Sequence, residues 1–207
     1  MITGPELSPK LKKWWIWGLV LLAIGSLPII FRPQPKSNLT AIAQVPEYSL
    51  LKEDGSAFGS KELAGKVYVA SFVFSRCPTV CPRMLKELQG LQREFQGQGP
   101  KVAMVTFTVD PDYDTPAILN QLGKNYQADP ELWSFLSSPD REALFKLYNE
   151  GFKIGVEKID PSVDLLLVAH SEKVVLVDQK GRIRGFYSLN PEGHRRLLAN
   201  ARQVLEE

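Results

Sequence analysis

Thiols and imidazoles are scarce in this sequence. Its 207 residues include two cysteines, two histidines and three methionines, so any metal site must be small and a framework of several disulfides is excluded. Charge bias is lacking too. Twenty-five Lys and Arg face 23 Asp and Glu, for a formal net charge of +2. With no long basic stripe and no alternation of basic and aromatic residues, nothing points to nucleic-acid binding. Internal repeats and low-complexity tracts are also missing. What remains is globular in composition, with 44% hydrophobic and 23% charged residues. The length admits one ordinary domain plus an appendage.

The appendage reads from the N-terminus. Lys10, Lys12 and Lys13 precede an uncharged, mostly apolar run, residues 14–31, closed by Arg32 and Pro33. At helical rise, this run is near the lower limit for crossing the hydrocarbon core. Trp14, Trp15 and Trp17 sit at one end, where aromatic rings favour the membrane interface. Lysines ahead of the run keep residues 1–13 cytoplasmic and send the remainder outward. A cleaved signal peptide is the rival reading, with Ala41-Ile42-Ala43 as the small-residue site. The run is longer than a signal peptide's apolar stretch, however, and that site lies about ten residues beyond it. We therefore expect an uncleaved transmembrane anchor over residues 14–31 and a polar, proline-bearing linker over 32–45. The domain, residues 46–207, is expected on the extracytoplasmic, periplasmic side of a bacterial-type inner membrane, where disulfides persist.

Within the domain, residues 48–58 read as a hairpin turning at Glu53-Asp54-Gly55. Residues 66–74 form a buried-type strand. Pro82 and the stripe Met84, Leu85, Leu88, Leu91 and Phe95 predict a helix over 82–95. A strand at 101–109 follows, then a helix from Thr115-Pro116 to Tyr126 and a short strand at 131–136. A helix over 140–148 is capped by Ser138 or Asp140. Residues 153–167 read as an irregular hairpin. Residues 174–187 are strand, turn and strand, and the last helix covers 191–205. This order is α/β with a mixed sheet flanked by helices, which fits a thioredoxin-like architecture.

The chemistry concentrates in Cys77-Pro78-Thr79-Val80-Cys81-Pro82, between a buried strand and a helix start. Cys81 is expected at the N-cap and Cys77 in the preceding loop. Free backbone N–H groups and the helix dipole favour negative charge there, and Arg76 and Arg83 flank it, so both thiols are expected as thiolates. Three readings follow. A structural disulfide closes only a short loop and adds little stability. A redox dithiol is the second, although the usual spacing has two intervening residues rather than three. The third is a soft-metal site, which needs a further ligand. His170, just ahead of strand 174–177, is the candidate. If that strand runs antiparallel to strand 66–74, its start lies on the edge where the cysteine loop emerges. Two thiolates and an imidazole suit one copper ion, Cu(I) or Cu(II). Structural zinc asks for four ligands.

These motifs resemble the Sco/SenC family of copper proteins of cytochrome c oxidase assembly. The resemblance is carried by residues 77–82, by Thr108-Val109-Asp110-Pro111-Asp112-Tyr113-Asp114-Thr115-Pro116, and by His170 ahead of residues 174–181. It implies a thioredoxin-like fold, copper held by Cys77, Cys81 and His170, and a metallochaperone rather than a turnover enzyme. The implied job is delivering copper to the oxidase subunit that carries the dinuclear copper centre, or keeping that centre's cysteines reduced. Other copper chaperones or thiol reductants are the further partners implied. Two positions depart from the family pattern. Ala169 stands where an acidic residue is common, and Tyr113 where an arginine is. A thiol-disulfide oxidoreductase using Cys77 and Cys81 is the alternative, and a tethered interaction module with a structural disulfide is the third.

Other residues are weighed singly. Asp110 stands between a carboxylate supporting the copper site and plain turn chemistry. Asp114 reads as turn chemistry, with Asp114 or Thr115 capping the next helix. His194 reads as a surface residue of the last helix, and Trp133 and Phe135 as core. Lys153, Lys158 and Asp160 read as a solvated face.

Overall fold

Two seven-residue runs, mostly apolar with Ser71, Thr106 and Thr108 among them, form the middle of the sheet. β4 (Val67–Val73) and β5 (Val102–Thr108) are buried at every position and pair in parallel from Val67↔Val102 to Val73↔Thr108. Continuous burial is what a parallel sheet covered on both faces requires. The computed structural model describes residues 39–155 and 173–207, which belong to one unit, Ser37–Glu207. His170, Lys158, Asp160 and the apolar run 14–31 lie outside the described residues, as does all but the first part of the segment read as a hairpin over 153–167. Among the described residues, no helix is long and apolar enough to cross a membrane.

The remaining elements are β1 (Ala43–Gln44), β2 (Ser49–Lys52), β3 (Ala57–Gly59), β6 (Trp133–Ser137), β7 (Lys173–Val177) and β8 (Arg182–Ser188), with helices α1 (Val80–Phe95), α2 (Pro116–Asn125), α3 (Arg141–Lys146) and α4 (Pro191–Leu205). The eight strands lie in the order β1-β8-β7-β4-β5-β6-β2-β3. β6 is parallel to β5, and β7 is antiparallel to β4. This is the mixed α/β, thioredoxin-like arrangement expected. The hairpin β2–β3 and the strand-turn-strand β7–β8 stand where the pattern puts them. At the β7–β8 turn, Gly181 takes φ +73° and its N–H bonds the Asp178 carbonyl at 2.9 Å, a conformation that favours glycine.

Helix starts follow local chemistry. Thr115, Asp140 and Asn190 cap α2, α3 and α4 by accepting from Ile118, Ala143 and Gly193 N–H groups. α3 is shorter than the expected 140–148 because the chain widens into a π turn at Leu147–Gly151. Ala43–Gln44, inside the span read as linker, pairs as an edge strand with Ile183 and Arg182. α1 begins two residues earlier than expected, at Val80, with Thr79 rather than Cys81 at the N-cap.

Among the described residues, the Tyr48 hydroxyl is buried without a hydrogen-bond partner, whereas the polar groups of the central strands are paired. Trp133 Nε1 donates to Thr106 Oγ1 at 2.8 Å, and Thr106 shares a 2.8 Å bond with Ser71. Trp133 and Phe135 are core, as read, and stack with centroids 5.1 Å apart.

Candidate metal centre

The site lies where β4 ends. After Val73 the chain turns through Phe74, Ser75 and Arg76, and the Cys77 N–H bonds the Phe74 carbonyl at 3.3 Å. Cys77 is half-buried in this turn. α1 follows immediately and carries Cys81 in its first turn, 7% exposed. The Cys81 backbone N–H donates to the Cys77 sulfur at 3.3 Å. The helix N-terminus therefore points an unpaired donor at Cys77, as its dipole predicts. Both cysteines are free thiols.

The two thiols are not equivalent, which corrects the expectation of a thiolate pair. Burial alone would raise the Cys77 thiol. The N–H groups of Cys81, Thr79 and Val80, with the Cys81 thiol, outweigh it and leave Cys77 below the ordinary thiol value. Cys81 is pushed up to about 12, first by burial, then by its bond to Cys77 and the nearby Asp114 charge. The cause is helical register. Cys81 sits three, four and seven residues ahead of Met84, Leu85 and Leu88, so it shares their core-facing stripe.

Carboxylates from the β5–α2 loop hold the approach to Cys77. Asp110 is buried and accepts from Arg76 Nε at 3.0 Å and Nη2 at 2.6 Å. The Arg76 guanidinium also lies 4.2 Å from the centre of the Tyr113 ring. Arg76 is thus committed to Asp110 and Tyr113. Asp110 stands beside the cysteine loop through Arg76, and its carbonyl also closes a turn by accepting from the Tyr113 N–H at 3.1 Å and the Asp114 N–H at 2.8 Å. Of the two cap candidates, Asp114 and Thr115, the structure uses Thr115. Asp114 is fully buried and accepts from the Ser75 N–H at 3.0 Å, the Ser75 hydroxyl and the Thr108 hydroxyl. Burial raises its carboxyl above the usual range despite these donors. One signal was available: with Thr115-Pro116 sufficient to start α2, Asp114 had no task of its own.

His194 lies in α4, partly buried, with Nδ1 3.8 Å from Glu87. The third expected ligand, His170, is outside the described residues. The strand that follows it, β7, starts at Lys173 and pairs antiparallel with β4 through Tyr68↔Val177 and Ala70↔Val175. Its start therefore lies at the edge where β4 delivers the cysteine loop.

A thioredoxin-like domain with one free thiol in the turn after a central strand and a second in the first turn of the following helix defines a class, the thiol-bearing proteins of that fold. Within it, this chain belongs to the SCO1/SenC family, whose sequence pattern matches residues 37–206. The SCO1 protein homolog of Bacillus subtilis (strain 168) is 26% identical over 145 residues, spanning 70% of this chain and 74% of that protein. The structure of a SCO1/SenC family lipoprotein from Bacillus anthracis str. Ames is similar, with TM-score 0.70 and 29% identity, covering 78% of this chain and 94% of that one. Bradyrhizobium japonicum ScoI, solved with copper bound, gives TM-score 0.63 and 26% identity over 78% of this chain and 99% of its own.

Proposed function

We propose that this chain is a membrane-anchored copper metallochaperone serving cytochrome c oxidase assembly. It binds one copper ion through Cys77, Cys81 and His170. It delivers that ion to the dinuclear copper centre of the oxidase, or keeps that centre's cysteines reduced. The observation that carries the reading is the pair of free thiols at a sheet edge, one half-buried and one buried, with a backbone donor aimed at the outer sulfur. Similarity to a ScoI solved with copper bound supports the metal. His170 is three residues before Lys173, within about 11 Å of it by chain reach. Two soft sulfurs and an imidazole select copper over hard cations. Three donors leave room for an incoming thiolate or thioether to displace one ligand at a time.

The anchor is residues 14–31, with residues 1–13 in the cytoplasm and the domain extracytoplasmic. The lysines before the run and the tryptophans at its start support this topology. In intact spheroplasts, external protease should digest the domain, and without protease the whole chain should fractionate with the membrane. Protection of the domain, or its recovery in the soluble fraction, sinks the topology.

The unequal thiols favour a second activity on the same residues. Cys77 as thiolate attacks a partner disulfide, forming a mixed disulfide and releasing one partner thiolate. Cys81 then loses its proton, attacks the Cys77 sulfur and releases the second partner thiolate. The partner gains two electrons, the Cys77–Cys81 pair becomes a disulfide, and an external thiol reductant restores it. His170→Ala separates the roles. Copper loading should fall from about one ion per chain to a small fraction, while disulfide reduction continues at the parent rate. Unchanged copper content would remove His170 from the site, and loss of reduction alone would tie His170 to thiol chemistry instead.

A further inference from the structure

Asp114 bonds to Ser75, two residues before Cys77, and to Thr108 at the end of β5. We propose that Asp114 is a positioning residue for Cys77, fixing the copper-binding loop from beneath through Ser75. The inference rests on the copper reading above.

The geometry is specific. Asp114 is fully buried and, among the described residues, makes no direct salt bridge; Arg76, which is bonded to Asp110, acts on it through charge alone. A buried carboxylate held by hydroxyl and amide donors rather than by a direct ion pair is costly, and an apolar side chain of similar volume would pack at less expense. What the carboxylate does is take both polar groups of one residue. The Ser75 N–H and the Ser75 hydroxyl both point to it. Gripping backbone and side chain together fixes the direction of the chain two residues before Cys77.

Asp114 is itself held rigidly. Its N–H bonds the Asp110 carbonyl at 2.8 Å, and its carboxylate takes the Thr108 hydroxyl. Thr108 ends the central strand β5, and its carbonyl accepts from the fully buried Tyr148 hydroxyl at 2.6 Å. The loop that supplies Asp114 also supplies Asp110, which grips Arg76. Consecutive residues 75 and 76 are therefore tied to one braced loop, and Cys77 is the first residue past the ties. Release of the Ser75 tie would let the turn from Phe74 to Cys77 relax. The distance between the sulfurs, and from Cys77 to any third donor, would then vary.

The test uses the full chain with Asp114→Ala, Asp114→Asn and Ser75→Ala. Three quantities are read: copper affinity by chelator competition, the thiolate-to-Cu(II) absorption band, and the alkylation rate of Cys77 in the metal-free protein at fixed pH. Asp114→Ala should weaken copper by on the order of 10-fold, shift the band and change the alkylation rate. Asp114→Asn keeps an oxygen acceptor for the Ser75 N–H and should recover most of each. Ser75→Ala removes one bond to the loop without touching the carboxylate, and should move all three readings the same way by less. Should Asp114→Ala not fold, Ser75→Ala and Asp114→Asn carry the test. Folded variants with the parent's affinity, band and alkylation rate would overturn the proposal, whatever their melting temperatures. A parent chain that takes up no copper defeats the copper reading instead. The alkylation rate then decides the positioning role alone, with unchanged Cys77 rates counting against it.

Discussion

Cys77→Ala and Cys81→Ala are each expected to abolish copper binding, taking the loaded chain from about one ion to near none. Each variant leaves one sulfur and one imidazole, too few soft donors to hold copper against a competing thiol. The folded domain should survive both changes. Cys77 is half-buried in a turn, and Cys81 is a small buried side chain whose loss to alanine removes one sulfur atom from the core. Circular dichroism checks the fold, and metal analysis after desalting checks the copper. A single-cysteine variant that retains a full equivalent through competition with a thiol would end the two-sulfur account.

The same site predicts how binding depends on pH. Cys77 lies below the ordinary thiol value, while Cys81 is held at about 12. At neutral pH Cys81 is therefore protonated, and copper must displace that proton to use the sulfur. The apparent affinity should then rise by roughly tenfold per pH unit from Cys81 alone across the neutral range. Cys77 adds to the slope only below its own lowered value. Competition with a chelator corrected for its own protonation measures this. A pH-independent affinity in the parent would mean that Cys81 is not a ligand.

How much of this was readable in the sequence depended on whether the cause was local. The strand at 67–73, the turn at Gly181 and the helix Pro191–Leu205 follow from apolar runs, a glycine turn and an Asn-Pro start. Each is set by neighbours in the chain. The cysteine loop was legible for the same reason. The state of Cys81 was not read correctly, because the helix N-terminus argues for a thiolate and burial argues against it. Magnitude decides: a thiol desolvated among Met84, Leu85 and Leu88 loses more than the dipole returns. That stripe was visible, and extending it back to residue 81 would have given the answer. Ala43–Gln44 is too short to carry a period, so its pairing with β8 was hidden. Asp114 was missed because its partners, Ser75 and Thr108, lie on two other segments. Only the packing of β4 beside β5 brings them together.

Arg184→Leu should produce a large loss of stability. Arg184 is 5% exposed and Asp178 1%. Arg184 Nη1 meets Asp178 at 2.9 Å, Nη2 meets Glu207 at 2.6 Å, and Nε donates to the Leu39 carbonyl at 3.1 Å. One guanidinium thus joins the β7–β8 turn, the end of the chain and the entry to β1. Leucine fills much of the volume but leaves Asp178 buried with Arg182, which is partly exposed, as its remaining cation. Removing one member of a buried charge cluster costs about 3–5 kcal/mol. The sign with pH follows from Asp178. Burial would raise its carboxyl, but donors from Arg182, Arg184 and the Lys180 N–H outweigh that and hold it below the usual range. A depressed carboxyl stabilises the fold above its unfolded value, and that contribution is lost as pH falls through the folded one. The parent should therefore lose stability in acid more steeply than Arg184→Leu, in which Asp178 is no longer held as far down. Urea denaturation should show a wide gap between the two midpoints at neutral pH and a narrower one at about pH 3. A gap of constant width would assign the loss to packing around the leucine, and equal midpoints would deny the cluster any role in holding the chain end to the sheet.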